Sequence, residues 1–502
     1  MKEVQKAEGL IELRATSNQS VRVPPGPRPL PFVGNRYEIY PDVLGNYDRL
    51  FSRYGPMFKT VNMGTTIYHN NDPVISRHIL REDHLFTKTT SDPSHPLHYM
   101  SEQYSLFTCD TASPAFIPSH KFVPPTLSPR AVAHYMPLIQ DAIEDSFSVF
   151  DQLASSDRAI NVYQYMFKLA SSLIWRVVFN QDLKHFESPS TPPSAPIRYF
   201  DGYLSLSKKS SMQPTWLKYL PFGYHAKLKV VRQQLFDACE EAMLANIDKD
   251  GPTIPLADTQ ALLSAKCLSD FLYRAVDESG ERLPYNLVVS NLVVTAGAGF
   301  ATTSSLLSWA LYALVRYPGN QDRLYKEIAQ DIQSNPQPSD KKENKRWTYD
   351  EIHGLKFLDA FLKEVLRLHS PNYQTARNAK EDVVLPGGYL IPKGSVVMTS
   401  FPSIHKNPKH WDNPLRFDPD RWLRDEELAS RMAKEGGYTP FGAGARGCVG
   451  FNLALAQAKL AIVELVHRYT FEDESTEAVV YDPDRLVVRP MNLYAGLTKR
   501  GE

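Results

Sequence analysis

Cysteine is scarce in this chain of 502 residues: Cys109, Cys239, Cys267 and Cys448 lie far apart, with no Cys-x-x-Cys pair and no histidine at ligand spacing. That excludes a disulfide framework and a zinc site, and it points to a reducing compartment. Net charge is also missing, because 56 basic residues balance 56 acidic ones, so nothing here recruits a nucleic-acid polyanion. The first 23 residues lack the apolar run of a signal peptide or membrane anchor and carry Lys2, Glu3, Lys6, Glu8, Glu12, Arg14 and Arg22 instead. No internal repeat and no dividing linker occurs. Finally, no charge stands between Arg282 and Arg316, a stretch long enough to cross a bilayer. Its Asn286, Asn291, Thr295, Thr302, Thr303 and Ser304, with Gly297 and Gly299, fit a long helix buried inside a protein better than one in lipid.

What is present is ordinary globular material, 42% hydrophobic and 22% charged, enough for a large core. Residues 1–23 read as a polar extension, and 24–35, with five prolines, as a stiff hinge, because proline fixes φ and cannot continue a helix. Residues 36–502 read as one large domain. Asp42 to Tyr54 has helical spacing, while Met57 to Met63 and Thr65 to His69 alternate like paired strands. Beyond Pro129 the chain is mainly helical through Val315. Ser188 to Pro196 and Asn335 to Asn344 read as loops, Tyr349 to Leu368 as one helix, and Val383 to Val397 as hairpin material. The fold class is mainly α with a small β part (α+β).

The densest chemistry lies in Phe441-Gly-Ala-Gly-Ala-Arg-Gly-Cys-Val-Gly450, followed by helical apolar spacing from Leu453 to Leu465. Three readings compete. Free cysteines are commonly buried structural residues. Gly442, Gly444 and Gly447 spell a dinucleotide fingerprint, but that needs a preceding strand and a following βαβ unit. The third reading is a thiolate ligand to iron, with Gly444 and Gly450 letting backbone amides approach the sulfur and Arg446 facing a haem propionate. The spacing at Phe441, Gly444, Arg446, Cys448 and Gly450 resembles the haem-binding signature of the cytochrome P-450 family. That resemblance implies the P-450 fold with a long central helix over haem b, Cys448 as iron ligand, and residues 36–502 as a haem-thiolate catalytic domain.

Further segments follow the family's order. Glu364 and Arg367 stand at i and i+3 on one helical face, and Pro414-Leu-Arg-Phe417 follows; the resemblance implies a buried triad of Glu364, Arg367 and Arg416. Ala298-Gly-Phe-Ala-Thr-Thr303 is similar to the family's oxygen-binding stretch. There Gly299 would admit a flat ligand or dioxygen against the backbone, and Thr302 would hydrogen-bond dioxygen or a neighbouring water while bonding a carbonyl one turn back. The usual acidic residue is Ala301, which cannot relay protons; Thr303 is one candidate substitute. Arg377, His120 and Lys121 join Arg446 as expected haem-binding residues, with Phe116 where the family has tryptophan.

By similarity the substrate pocket draws on Leu106, Phe107, Ala298, Phe300, Asn372, Tyr373, Gln374, Thr375, Met491, Asn492 and Leu493, a mid-polarity set without a carboxylate anchor. The implied function is oxidation of a lipophilic small molecule with dioxygen, such as a secondary-metabolite tailoring step. Features near Phe107 are similar to fungal and bacterial fatty-acid hydroxylases that carry a fused reductase. Here electrons would come from a separate NADPH-dependent flavoprotein docking on Lys121, Lys406, Lys409 and Lys434. Ala301 keeps open a haem-thiolate enzyme of another type, through peroxide-driven oxidation, oxidative coupling or isomerisation; a non-catalytic haem sensor is a third reading. The expected location is cytoplasmic, or the endoplasmic reticulum surface if an anchor precedes Met1.

Overall fold

The computed structural model describes residues 21–501 except 63, 157, 214–216, 218, 259 and 336–344. Most of the polar extension and of the 335–344 loop therefore lies outside the described residues. Helices dominate, at about 51% of the chain against 12% strand, and eight of them frame the interior: α1 (Phe116–Phe122), α2 (Pro129–Glu144), α3 (Val162–Phe179), α4 (Ala195–Ser211), α5 (Tyr224–Leu244), α6 (Tyr285–Arg316), α7 (Lys356–Leu368) and α8 (Phe451–Arg468).

The charge-free stretch folds as α6, 32 residues long. It is long and apolar enough to cross a membrane, yet 72% of its most apolar window is buried by protein. Helix α3 packs along it. Asn161 caps α3 by accepting from the Gln164 N–H, and Asn180 ends it in the left-handed conformation that asparagine tolerates. Phe300 of α6 meets Phe167 of α3 and Phe200 of α4 edge-on, at 5.3 and 5.4 Å, at the centre of the apolar core.

The β part is a five-stranded sheet of β1 (Met57–Asn62), β2 (Thr65–Asn70), β3 (Phe86–Thr87), β4 (Gln374–Ala379) and β5 (Val396–Ser400), in the order β1-β2-β5-β4-β3. β1 and β2 form the expected hairpin, with Met57 opposite Asn70, and β5 joins β2 in parallel, with Val396 opposite Ile67. Of the expected hairpin material, Val383–Leu385 pairs with Tyr389–Ile391, while β5 leaves to join the larger sheet. The proline-rich segment is laid on this sheet: the Lys59 N–H donates to the Pro25 carbonyl at 2.8 Å, and the Asn35 N–H to that of Val61 at 2.7 Å.

One expected helix is two. Thr348 and Glu351 form a reciprocal capping box for Tyr349–Gly354, and Leu355 turns the chain into extended backbone before α7 begins. The Glu327 carboxylate then accepts from the first amides of α7, Phe357 at 2.7 Å and Leu358 at 2.9 Å. A helix start needs such partners, and a distant carboxylate supplies them where no local cap exists.

Candidate active site

The cysteine loop is shaped by its glycines. Gly442 and Gly444 both have φ near +71°, and a Cβ on Gly444 would lie 2.1 Å from the Leu80 carbonyl oxygen. Gly444 thus serves a close backbone crossing and not an approach to the sulfur. The Gly447 N–H closes onto the Gly444 carbonyl and the Cys448 N–H onto that of Phe441, each at 2.9 Å. Gly450 heads α8 and turns its N–H toward the Cys448 sulfur. Cys448 alone of the four cysteines has exposed surface. Surrounding protein raises its thiol pKa by desolvation, and the Gly450 N–H opposes that rise.

A second opening lies on α6. Ala298 is exposed in the middle of this buried helix, flanked by half-buried Gly299 and Thr302. The Thr302 hydroxyl donates to the Ala298 carbonyl at 2.8 Å. Ala301 and Thr303 are buried, and the Thr303 hydroxyl has no partner among the described residues. Gly299 departs from expectation: its missing side chain leaves room for Ile174 of α3, whose Cγ1 would stand 2.5 Å from an added Cβ. It permits helix packing and does not admit a ligand. Phe300 likewise belongs to the core, and so do Leu106 and Leu493, at 7% and 2% exposure.

Beside the cysteine loop lies a concentration of positive charge. Arg446 donates to the carbonyls of Leu106 (2.8 Å) and Cys109 (3.0 Å) and to the Thr111 hydroxyl (3.0 Å), strapping the 106–111 segment to the cysteine loop. Its guanidinium lies 4.0 Å over the Phe116 ring, so phenylalanine at the family's tryptophan position becomes a cation–π shelf. His120 packs edge-on to Phe116 and donates to the Ala445 carbonyl. Arg377 is buried on β4 and pairs with the buried carboxylate of Glu82. Lys88, only 4% exposed, donates to the Phe107 carbonyl at 2.6 Å and sits over that residue's half-exposed ring. Burial and the neighbouring Arg446 and Arg377 charges push the Lys88 pKa well down, with Glu82 opposing. Burial likewise lowers Arg377, to about 10. Lys88 and Glu82 have no local sequence signal, since only the sheet brings them to Arg377. Lys121 points elsewhere, pairing with Asp277 at 3.1 Å.

The buried ion-pair cluster also differs from expectation. Glu364 and Arg367 of α7 pair through two hydrogen bonds of 2.9 Å, with both side chains at zero exposure. Arg416 is exposed and contributes only its carbonyl, which accepts from Arg367 at 3.0 Å. Arg421 is the third member, donating to Glu364 at 3.1 Å, and the Trp422 indole adds a bond of 3.0 Å. The physical reason is local: the short helix Asp420–Arg424 turns Arg421 and Trp422 inward, whereas Arg416 precedes it in an open loop. Arg367 also donates to the His405 carbonyl, and the His405 ring accepts from the Thr439 N–H, both at 3.0 Å. A chain of contacts thus runs from α7 to the base of the cysteine loop.

The remaining expected pocket residues scatter. Asn372 is exposed; Tyr373 is buried; the Gln374 side chain accepts from Tyr47 at 3.2 Å; and Thr375 accepts from Arg377 at 3.1 Å. Met491 is 39% exposed, and Asn492 donates to Glu477 at 3.0 Å.

Three comparisons bear on this arrangement. The cytochrome P-450 family profile matches residues 24–495. The chain is 45% identical over 483 residues to the cytochrome P-450 monooxygenase alnD of Emericella nidulans, covering 96% of this chain and 85% of that one. It is 24% identical to human cytochrome P-450 3A5, covering 89% and 85%. Among solved structures, the cytochrome P-450DA heme domain superposes with a TM-score of 0.81 at 22% identity, over 96% of this chain and 99% of that one. By these likenesses the chain belongs to the cytochrome P-450 family as a haem-thiolate monooxygenase.

Proposed function

We propose that this monooxygenase oxidises a lipophilic small organic molecule, as in secondary-metabolite tailoring, with electrons from a separate NADPH-dependent flavoprotein. The observation that carries the reading is the exposure of Cys448 ahead of α8 and of Ala298 beside Thr302 on the otherwise buried α6, with surplus cations beside the cysteine loop. Lys88, Arg377 and Arg446 together outweigh Glu82, and their mutual repulsion calls for further anions. The two propionates of haem b supply that charge, so the residues fit the group. Cys448 would ligate the iron, and Lys88, Arg377, Arg446 and His120 would hold the propionates. When bound, haem supplies activation of dioxygen once electrons arrive.

The chain's own part is positional. The Gly450 N–H tempers the thiolate's basicity, and the Arg446 strap holds the 106–111 segment against the cysteine loop. Thr302, released from the Ala298 carbonyl, can hold a proton-bearing water at the opening. Cys448→Ser should abolish the thiolate-type Soret band of the carbonyl complex while the protein still folds; an unchanged band would defeat the assignment. Docking of the reductase is assigned to the exposed Lys409 and Lys434, since Lys121 pairs with Asp277 and Lys406 with Asp48. Reduction should slow as salt rises, and salt-independent rates would count against this face.

Ala301 favours a second reading, a haem-thiolate enzyme driven by peroxide or catalysing coupling or isomerisation, because this position offers no carboxylate to carry protons. Turnover with reductase and NADPH against turnover with hydrogen peroxide alone separates the two. Under the first reading, Thr302→Ala diverts reducing equivalents into peroxide; under the second, coupling stays unchanged.

A further inference from the structure

Lys208 lies in the last turns of α4, 6% exposed. Its ammonium donates to the Tyr373 hydroxyl at 3.1 Å and stands 5.7 Å from the rings of both Tyr373 and Tyr40. Tyr40 is its second hydrogen-bond partner. No Asp or Glu pairs with it among the described residues. An ammonium has three protons to place, and a buried charge without a counter-ion is costly. The same turn buries two more unmet groups, the hydroxyls of Ser207 and Ser210, which find no partner among the described residues. Burial opposes the charge on Lys208, while the hydrogen bonds to the Tyr373 and Tyr40 oxygens favour it.

Two elements run from this cation to the interior already described. Helix α4 reaches α6 through Phe200, whose ring fills the space beside Gly297. Tyr373 immediately precedes β4, and Arg377, in the cation group near the cysteine loop, lies four residues further along that strand. Four residues of extended chain span roughly 13 Å.

We propose that Lys208, with the hydroxyls of Tyr40 and Tyr373 beside it, anchors a carboxylate on the substrate, so that the preferred molecules are lipophilic acids whose apolar body extends toward the Thr302 opening. The proposal rests on the monooxygenase reading and names the substrate's polar end. No covalent step is involved; the acid binds as its anion.

The probes are dodecanoate and dodecanol, titrated calorimetrically into the haem-loaded protein, with the spin-state shift recorded in parallel. The wild type should bind the acid about tenfold or more tightly than the alcohol, as a charge-assisted hydrogen bond implies. Lys208→Met should abolish that preference and leave dodecanol affinity unchanged, and Lys208→Arg, which keeps the cation, should retain it. Thermal unfolding of each variant reports whether the fold survives. If Lys208→Met does not fold, the wild-type preference and its retention in Lys208→Arg still decide. Equal binding of acid and alcohol by the wild type, or an acid preference that survives in Lys208→Met, overturns the anchor. Calorimetry reads binding whatever the haem ligation, so loss of the thiolate-type carbonyl band would count against the haem assignment and not against Lys208.

Discussion

Both carboxylate oxygens of Glu364 are engaged, by Arg367, Arg421, the Trp422 indole and the Asp418 N–H. Removing Arg421 leaves Glu364 balanced by Arg367 but takes away donors to Glu364 and to the Asp412 carbonyl, so Arg421→Ala should cost about 1–3 kcal/mol. Arg416→Ala, at an exposed side chain, should change stability by less than about 0.5 kcal/mol. Urea unfolding of the two variants distinguishes them, and equal losses would restore Arg416 to the cluster. Gly444 is a second decisive residue. Gly444→Ala meets both a left-handed φ and the Leu80 carbonyl, with an expected loss of about 2 kcal/mol or more and weakened haem retention. The residue types of this loop were legible in the sequence, because the Phe441–Gly450 spacing is specific. What each glycine does was not, because Leu80 is more than three hundred positions away. The same distance hid Lys88 and Glu82: a lone lysine just after a two-residue strand carries no mark of its neighbours.

At the scale of elements, α6 and α3 approach closely because Gly299 gives up its side chain to Ile174. Gly299→Ala would gain about 1 kcal/mol of helix propensity but press Cβ into Ile174, and overpacking of this kind costs about 1–3 kcal/mol. The net expectation is destabilisation in the wild-type background and stabilisation in an Ile174→Ala background, which a double-mutant cycle of thermal unfolding would measure. If Gly299→Ala destabilised both backgrounds equally, the glycine would be serving something other than this contact. The absence of charge from Arg282 to Arg316 was enough to foresee a long buried helix, since burial of uncharged surface needs no partner chemistry. Ala298 and Thr302 were expected on its open face, but that Phe300 would turn into the core was not foreseeable. That depends on which neighbour lies at each angle. The break at Leu355 escaped for a similar reason, because Glu327, which accepts from the first amides of α7, comes from another helix.

For the whole molecule, pH is a sensitive variable. Burial lowers His69, His95, His369 and His405 to about 3 and His185 to about 4. A depressed folded pKa gives stability that is full above the unfolded imidazole value of about 6.5 and is lost as pH falls toward the folded value. Each such histidine should therefore remove about 1.4 kcal/mol per pH unit below about 6.5. Burial raises Glu464 to about 7, which works the other way: its contribution is present at low pH and disappears as pH rises toward 7. The histidines outnumber it, so the urea midpoint should fall steeply between about pH 6.5 and about pH 5. A flat profile there would mean that these imidazoles open to solvent before global unfolding. The sequence by itself determined the family and the mostly helical fold, because those rest on short spacings and local apolar periodicity. Only the tertiary structure decided that Arg421 completes the Glu364 cluster, that Gly299 serves packing, that Lys88 joins the cation group and that Lys208 lies buried with no carboxylate partner among the described residues. Each of these is a meeting of residues from separate elements, and burial sets the energy of such a meeting in a way no single stretch of chain encodes.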